Sequence, residues 1–125
     1  MQCNSIMIVE DDESIRETFK LALEIQGYSV FTASNGKEGI EVLPQLPRPC
    51  LILLDLMMPV MDGWGFVDAL DKDIALASIP VVVITAFNDK AKSIRAKTII
   101  KKPVDLDLLF AIVRQYCGGS SAIES

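Results

Sequence analysis

The sequence contains no histidine. This absence excludes catalytic triads with a histidine base, histidine general acids and zinc sites built on imidazole ligands. Any chemistry must therefore rest on carboxylates, lysines, hydroxyls, thiols or a bound metal ion. The sequence also lacks an apolar run of the roughly 20 residues that a membrane-spanning helix needs. We therefore expect no membrane association.

Cysteine is scarce, with three residues that are far apart and form no CxxC pair: Cys3, Cys50 and Cys117. The odd count and the absence of a signal peptide predict a reducing, cytoplasmic location. We interpret all three as ordinary small side chains, buried or half-buried, with free thiols.

Positive charge is also in the minority, with 12 Lys and Arg against 17 Asp and Glu, for a net charge of −5. No basic stripe is present, so we expect no direct contact with nucleic acid. The chain has 125 residues and half of them are hydrophobic, which suits one compact domain. We predict this domain over residues 4–117 and a flexible C-terminal tail over residues 118–125.

Five short apolar runs alternate with amphipathic segments along the chain. The runs are rich in Val, Ile and Leu, as are strands buried on both faces of a parallel sheet. They cover residues 5–9, 29–33, 50–54, 80–84 and 97–100, and the predicted helices cover residues 12–26, 35–46, 63–70, 88–96 and 105–116. This alternation predicts an α/β, flavodoxin-like (βα)5 fold with strand order 2-1-3-4-5 and helices on both faces.

Polar residues follow four of the predicted strands: Glu10-Asp11-Asp12, Asp55, Thr85-Ala86 and Lys101-Lys102-Pro103. In a parallel sheet these ends share one edge, where ligands bind. Converging carboxylates repel each other, and a divalent cation such as Mg²⁺ relieves that repulsion. A carboxylate beside such a cation can attack phosphorus, with a lysine and a hydroxyl to stabilise the charge.

Capping is the simpler interpretation for Asp12 and Glu13, because the first helical turn favours negative charge. Capping explains Asp55 poorly, since Asp55 directly follows an apolar strand and Pro59 precedes the next helix. A lone Lys102 would be interpreted as solvated. The four matching strand ends together favour a site.

These residues resemble the receiver domains of two-component signalling over roughly residues 4–117. The matching stretches are Ile8-Val9-Glu10-Asp11-Asp12, the Asp55-x-x-x-Pro59-x-x-Asp62-Gly63 pattern, Val83-Ile84-Thr85-Ala86 and Lys101-Lys102-Pro103. The resemblance implies Asp55 as phosphoacceptor and metal ligand, Asp11 as direct metal ligand, Glu10 as outer acidic partner and the Met57 carbonyl as third ligand. It implies Thr85 as switch hydroxyl, Ala86 as the small residue beside the phosphoryl group and Lys102 as phosphate-binding lysine.

The resemblance also implies a function and partners. A histidine kinase or phosphotransfer protein would donate the phosphoryl group with the help of Mg²⁺ or Mn²⁺. The domain would be a self-phosphorylating and slowly self-dephosphorylating switch rather than an enzyme. Its readout would be a conformational change on the face of the fourth and fifth strands and the helices after them, acting on a downstream protein or a fused effector.

Two features depart from the family pattern. The fourth helix is short and the usual Gly before the fifth strand is missing, and Ile99 occupies a position that is commonly Tyr or Phe. Both fall on the signalling face, so they bear on switching and not on phosphorylation chemistry.

Three alternatives stay open. A phosphohydrolase with an aspartyl-phosphate intermediate would want a second acid where Met57 stands. A flavin carrier would want phosphate-binding donors where Glu10-Asp11-Asp12 stands. A phosphorylation-independent docking module would not need the complete acidic site.

Overall fold

The computed structural model describes residues 4–86 and 94–117. The helices and strands are, in chain order, β1 Ser5–Val9, α1 Glu13–Ile25, β2 Ser29–Ala33, α2 Gly36–Val42 with a 3-10 turn at Leu43–Gln45, β3 Leu51–Asp55, α3 Gly63–Asp71, α4 Ile74–Ala77, β4 Val81–Thr85, β5 Thr98–Lys101 and α5 Leu106–Cys117. All five strands pair in parallel in the order β2-β1-β3-β4-β5. The predicted flavodoxin-like fold is confirmed.

The predicted boundaries need small corrections. Strands β3, β4 and β5 each begin and end one residue later than predicted. The helix predicted over residues 35–46 ends at Val42, because Pro44 has no N–H to continue it, and a 3-10 turn follows. Helix α4 was not predicted. Most of the helix predicted over residues 88–96, and the tail predicted over residues 118–125, lie outside the described residues.

The three central strands, β1, β3 and β4, are buried along their whole length, which explains their unbroken apolar sequences. The edge strands β2 and β5 are only partly buried. One face of the sheet packs against α1 and α5, and the other packs against α2 and α3. Among the described helix residues, five large apolar side chains face water instead. Their exposed fractions are 60% for Leu21, 78% for Ile25, 94% for Ile74, 36% for Leu106 and 49% for Leu108.

Side chains cap the helices that lead away from the functional edge. Asp12 Oδ1 accepts a hydrogen bond of 3.0 Å from the Ile15 N–H, so Asp12 is the N-cap of α1. Asn35 Oδ1 accepts one of 2.9 Å from Glu38 at the start of α2. The N-cap at Asp12 confirms the interpretation of this residue from the sequence. Within residues 4–86 and 94–117, no helix combines the length and apolarity needed to cross a membrane.

The interpretation of all three cysteines as free thiols is wrong for two of them. Cys50 and Cys117 are joined by a disulfide, with their Cα atoms 5.4 Å apart. Helices of a parallel α/β fold run back against the strands, so the C-terminal end of α5 returns to the start of β3. The 67 residues between the two cysteines hide this proximity in the sequence. Cys3 lies outside the described residues.

Candidate functional site

The carboxyl ends of β1, β3, β4 and β5 surround one cavity of about 250 Å³. Its lining contains every site residue predicted from the sequence: Glu10, Asp11, Asp55, Met57, Thr85, Ala86 and Lys102. Asp12 and Ile15 complete the lining. The tertiary structure thus brings residues up to 92 positions apart in the chain to one place.

Three acidic side chains converge in this cavity. Glu10 and Asp55 are almost fully buried, whereas Asp11 is exposed. Each can offer one carboxylate oxygen so that all three oxygens lie within 4.8 Å of one another. Three oxygen donors at this spacing are the kind of ligand set that a hard divalent cation prefers.

Lys102 supplies the positive charge of the cavity. Its Nζ lies 3.0 Å from Glu10 Oε1 and 3.6 Å from Asp55 Oδ1, and its side chain is 21% exposed. Its backbone N–H donates to the Thr85 carbonyl oxygen over 2.9 Å, which joins the end of β5 to the end of β4. The neighbouring Lys101 is exposed.

The cavity holds more acidic side chains than lysines, and this excess affects the pKa values of its titratable groups. Burial raises the pKa of Glu10 from 4.5 to about 7, and the nearby Asp55 charge adds to the rise. Burial also raises the pKa of Asp55, against the lowering effect of Lys102. For Lys102, burial lowers the pKa, but the hydrogen bond to Glu10 and the charges of both acids outweigh it and raise the pKa overall. The cavity therefore favours an additional proton or cation.

The stability of the metal-free protein should consequently depend on pH. Between about pH 4.5 and 7 the folded state binds more protons at Glu10 than the unfolded chain does, so the free energy of unfolding falls as pH rises through this window. We expect a loss on the order of 1–3 kcal/mol in urea unfolding with a chelator present. Glu10→Gln should flatten this dependence, and Asp68→Asn, on the exposed side of α3, should not. A free energy that rises across the window would contradict the proposed protonation of Glu10.

Arg16 is a site residue whose contact the sequence did not reveal. Its Nη1 donates a hydrogen bond of 2.9 Å to the main-chain carbonyl of Glu10. The Glu10 carboxylate also accepts the Asp12 N–H at 3.1 Å through Oε2. These contacts fix the acidic turn after β1. The sequence could not show this hydrogen bond, because it depends on how α1 leaves the sheet.

Gly63 lets α3 begin close to the phosphoacceptor candidate. A Cβ at Gly63 would lie 2.9 Å from the Asp55 carbonyl oxygen and 2.9 Å from the Leu56 Cα, both main-chain atoms. The Gly63 N–H donates to the Leu56 carbonyl oxygen over 2.9 Å. The Asp62-Gly63 pair therefore combines an N-cap with a close backbone contact.

Gly63→Ala should destabilise the protein by about 1–3 kcal/mol, because neither clashing backbone atom can move freely. Gly65→Ala is the matched control, since its Cβ would contact the flexible Met61 side chain at 3.0 Å. We expect a much smaller change there in chemical denaturation. Equal losses in both variants would show that any added methyl group in this turn is destabilising, and that the contact with Asp55 and Leu56 does not determine the effect.

An apolar cleft of about 650 Å³ adjoins the acidic cavity. It lies between α1 and the segment that leads from β5 into α5, and it shares Ile15 and Lys102 with the cavity. The rest of its lining is Ser14, Thr18, Phe19, Pro103, Val104 and Leu106. A partner seated in this cleft would lie beside Asp55.

The fold and the acidic cavity together define a class of signalling domain, and comparison with known proteins agrees. The family model for the response regulator receiver domain matches residues 6–114. The chain belongs to this family and is a receiver domain of the two-component type, and receiver domains are regulatory phospho-accepting domains.

Similar proteins include regulators and isolated receiver domains. The chain is 39% identical over 116 residues to the transcriptional regulatory protein CrdR of Helicobacter pylori, covering 89% of this chain and 54% of CrdR. This chain spans about 35% of the length of the first curated relatives that it matches. The receiver domain of a histidine kinase from Syntrophus aciditrophicus superposes with a TM-score of 0.84 at 33% identity, covering 98% of this chain and 96% of that domain.

The response regulator TrrA of Thermotoga maritima, in complex with Mg²⁺ and BeF, superposes with a TM-score of 0.80 at 25% identity, covering 90% of this chain and 98% of that one. The Mg²⁺ and BeF ligands are those of TrrA.

Proposed function

We propose that this domain accepts a phosphoryl group on Asp55 from a phosphohistidine of a partner protein and acts as a signalling switch. The observation that carries this proposal is the placement of the buried Asp55 carboxylate 3.6 Å from Lys102 in the cavity that also holds Glu10, Asp11 and Thr85. A buried carboxylate with an adjacent lysine and surplus acids suits phosphoryl transfer.

In the transfer, an Asp55 carboxylate oxygen forms a bond to phosphorus as the phosphorus–nitrogen bond of the donor breaks. The electron pair of that bond remains on the donor imidazole. This chain has no histidine, so the donor imidazole must come from a histidine kinase or a phosphotransfer protein.

Asp11, Asp55 and the Met57 main-chain carbonyl would hold a divalent cation, with Glu10 as the outer acidic partner. The close carboxylate oxygens and the surplus negative charge of the cavity fit Mg²⁺ or Mn²⁺. When bound, such an ion supplies positive charge to the phosphoryl oxygens and neutralises the acids.

The remaining residues act on the phosphoryl group. The Lys102 ammonium is placed to pair with a phosphoryl oxygen, which requires it to exchange its contact with Glu10 for the new anion. Thr85 would donate its hydroxyl as the switch residue. Ala86 at the exposed rim leaves room for the group.

Mapping the modification tests this proposal. The wild-type protein is incubated with acetyl phosphate and Mg²⁺, and the acyl phosphate is reduced with borohydride before proteolysis and mass spectrometry. We expect one modified residue, Asp55, and no modification when a chelator is present. Modification of a different acid, or none, would contradict the proposal.

The apolar cleft is the best surface for the donor protein. It is continuous with the acidic cavity through Ile15 and Lys102, so a donor seated there would bring its histidine to Asp55. The exposed Leu106 offers apolar area to the partner. A small donor such as acetyl phosphate would not need this contact.

Leu106→Asp should therefore slow phosphoryl transfer from a protein donor by about tenfold, the effect of losing one buried leucine contact. The acetyl phosphate rate should stay unchanged. Ile25→Asp is the matched control, because Ile25 is an exposed apolar residue at the far end of α1. If Leu106→Asp leaves protein-donor transfer intact, or lowers both rates alike, the cleft is not the docking surface.

The alternatives fit the site less well. Met57 is 49% exposed at the rim, where a phosphohydrolase would need a second acid. The acids after β1 would repel a flavin phosphate. A docking module without phosphorylation would not need the buried Asp55 and Lys102 together.

We further propose a cytoplasmic location, slow self-dephosphorylation and readout through β4, β5, α5 and the segment between the two strands. A protein target or a fused effector would receive the signal. Ile99 on the edge strand β5 is 39% exposed, and it offers neither a ring nor a hydroxyl for switching.

A further inference from the structure

The disulfide between Cys50 and Cys117 lies at the end of the sheet opposite the acidic cavity. Cys50 directly precedes β3, and Asp55 is the last residue of that strand. Five residues of extended chain place them about 17 Å apart. Cys117 is the last residue of α5. The bond therefore connects the C-terminal end of α5 to the base of the central strand, and phosphoryl chemistry does not use it.

We propose that Cys50 and Cys117 form a reversible, redox-responsive bond that fixes the C-terminal turn of α5 to the sheet. Their Cα separation of 5.4 Å lies within the range that a disulfide spans without backbone movement. In a reducing compartment such a pair stays as two thiols and closes only under oxidation.

The protein does not depend on the bond to hold the two segments in place. The Cys50 N–H donates to the Ser5 carbonyl oxygen over 2.8 Å, so the backbone ladder fixes Cys50 beside β1. Helix α5 is anchored by Leu109 and Val113, each 0% exposed. The reduced protein should therefore remain folded apart from fraying of the last turn of α5, and the bond can open and close within the native state.

The exposure of the two cysteines determines which thiol reacts first with an oxidant. Cys50 is half-buried, whereas Cys117 is only 2% exposed. The Cys50 thiolate would attack a low-molecular-weight disulfide such as glutathione disulfide, form a mixed disulfide and release one thiol. Cys117 would then attack the Cys50 sulfur and release the second thiol. Two protein thiols are oxidised, one small disulfide is reduced, and the two thiol protons pass to the released thiols.

The consequence is control of α5 by redox state. This helix belongs to the face through which the proposed function sends its signal, so on that part the inference rests on the proposed function. Oxidation would hold the last turn of α5 against the sheet, and reduction would let it fray. Phosphorylation of Asp55 should proceed equally in both states, because the bond is remote from the cavity.

The experiment equilibrates the full chain in glutathione buffers of varied reduced-to-oxidised ratio. Free thiols are alkylated and counted by mass, the melting temperature is measured, and amide hydrogen exchange is followed over residues 106–117. We expect a reversible two-thiol transition with a midpoint inside the accessible buffer range. Oxidation should raise the melting temperature on the order of 10 °C and slow exchange in the last turn of α5.

Three variants complete the test. Cys50→Ser and Cys117→Ala should each remove the transition and the temperature shift, and Cys3→Ser should keep both. A bond that persists in folded protein under excess reduced glutathione would overturn reversibility. Failure to form the bond under excess glutathione disulfide would overturn the pairing. Acetyl phosphate labelling of Asp55 in the same samples separates these failures from failure of the proposed function.

Discussion

Asp55→Asn is expected to abolish phosphoryl transfer while leaving the protein folded. Asn has nearly the same size as Asp, but its amide cannot act as the nucleophile. Incubation with acetyl phosphate and Mg²⁺ should therefore give no added phosphoryl mass, against complete or partial labelling of the wild type. The loss should be the largest of any single substitution at the site.

The same substitution should stabilise the metal-free fold. Burial, and to a smaller extent the charge of Asp11, raises the pKa of Asp55, so its charge is destabilising there at neutral pH. Removing this charge relieves its repulsion with Asp11 and with Glu10, whose pKa it raises. We expect a gain on the order of 1 kcal/mol in urea unfolding without divalent ions. This gain in the free energy of unfolding should disappear when Mg²⁺ is added, because the wild type has one more carboxylate than the variant to bind the ion.

Asp68→Asn provides the control for a general change in charge, since Asp68 is exposed on α3. It should label as the wild type does. If Asp55→Asn still accepts a phosphoryl group on another acid of the cavity, such as Asp11, the assignment of Asp55 as phosphoacceptor is wrong. The cavity would then still be the place of phosphorylation.

Lys102→Ala is expected to slow phosphorylation by about 10²–10³-fold, the effect of removing one preorganised positive group from a developing anion. Among the residues that the structure describes, Lys102 is the positively charged side chain that lies within 4.0 Å of both Glu10 and Asp55. Its loss should therefore also raise the pKa values of both acids further. Labelling rates at several pH values would show this as a shift of the rate profile to higher pH.

The matched control is Lys101→Ala, one residue earlier and exposed. It removes the same charge from the same segment but should change neither the rate nor the pH profile. Lys102→Arg should give a partial rate, because the charge is retained but the guanidinium has a different shape. Equal effects from Lys101→Ala and Lys102→Ala would indicate a diffuse charge effect and contradict the specific role of Lys102.

The fold was predictable because its signals are local. Uninterrupted apolar runs predicted the buried strands β1, β3 and β4, whose residues are buried on both faces. The N-cap Asp12 was visible as an acidic residue directly before the first helix. The early end of α2 at Val42 and the helix α4 were missed, because short helical turns depend on packing more than on periodicity.

The list of cavity residues also came from the sequence alone. Parallel strands deliver their carboxyl ends to one edge of the sheet, so Asp11, Asp55, Thr85 and Lys102 could be assigned to one site from strand order. All of them line the cavity. Their roles in phosphoryl transfer remain predictions until the substitutions above are measured.

By itself, the sequence predicted the strand order and the identity of the cavity residues. Three contacts were decided only by the tertiary structure. Lys102 lies closer to Glu10 than to Asp55, and Arg16 donates a hydrogen bond to the Glu10 carbonyl oxygen. Cys50 forms a disulfide with Cys117. The physical reason is that periodicity and capping act between neighbours along the chain. Side-chain pairing instead depends on how helices pack across the sheet, and contacts between residues 67 or 92 positions apart leave no local trace in the sequence.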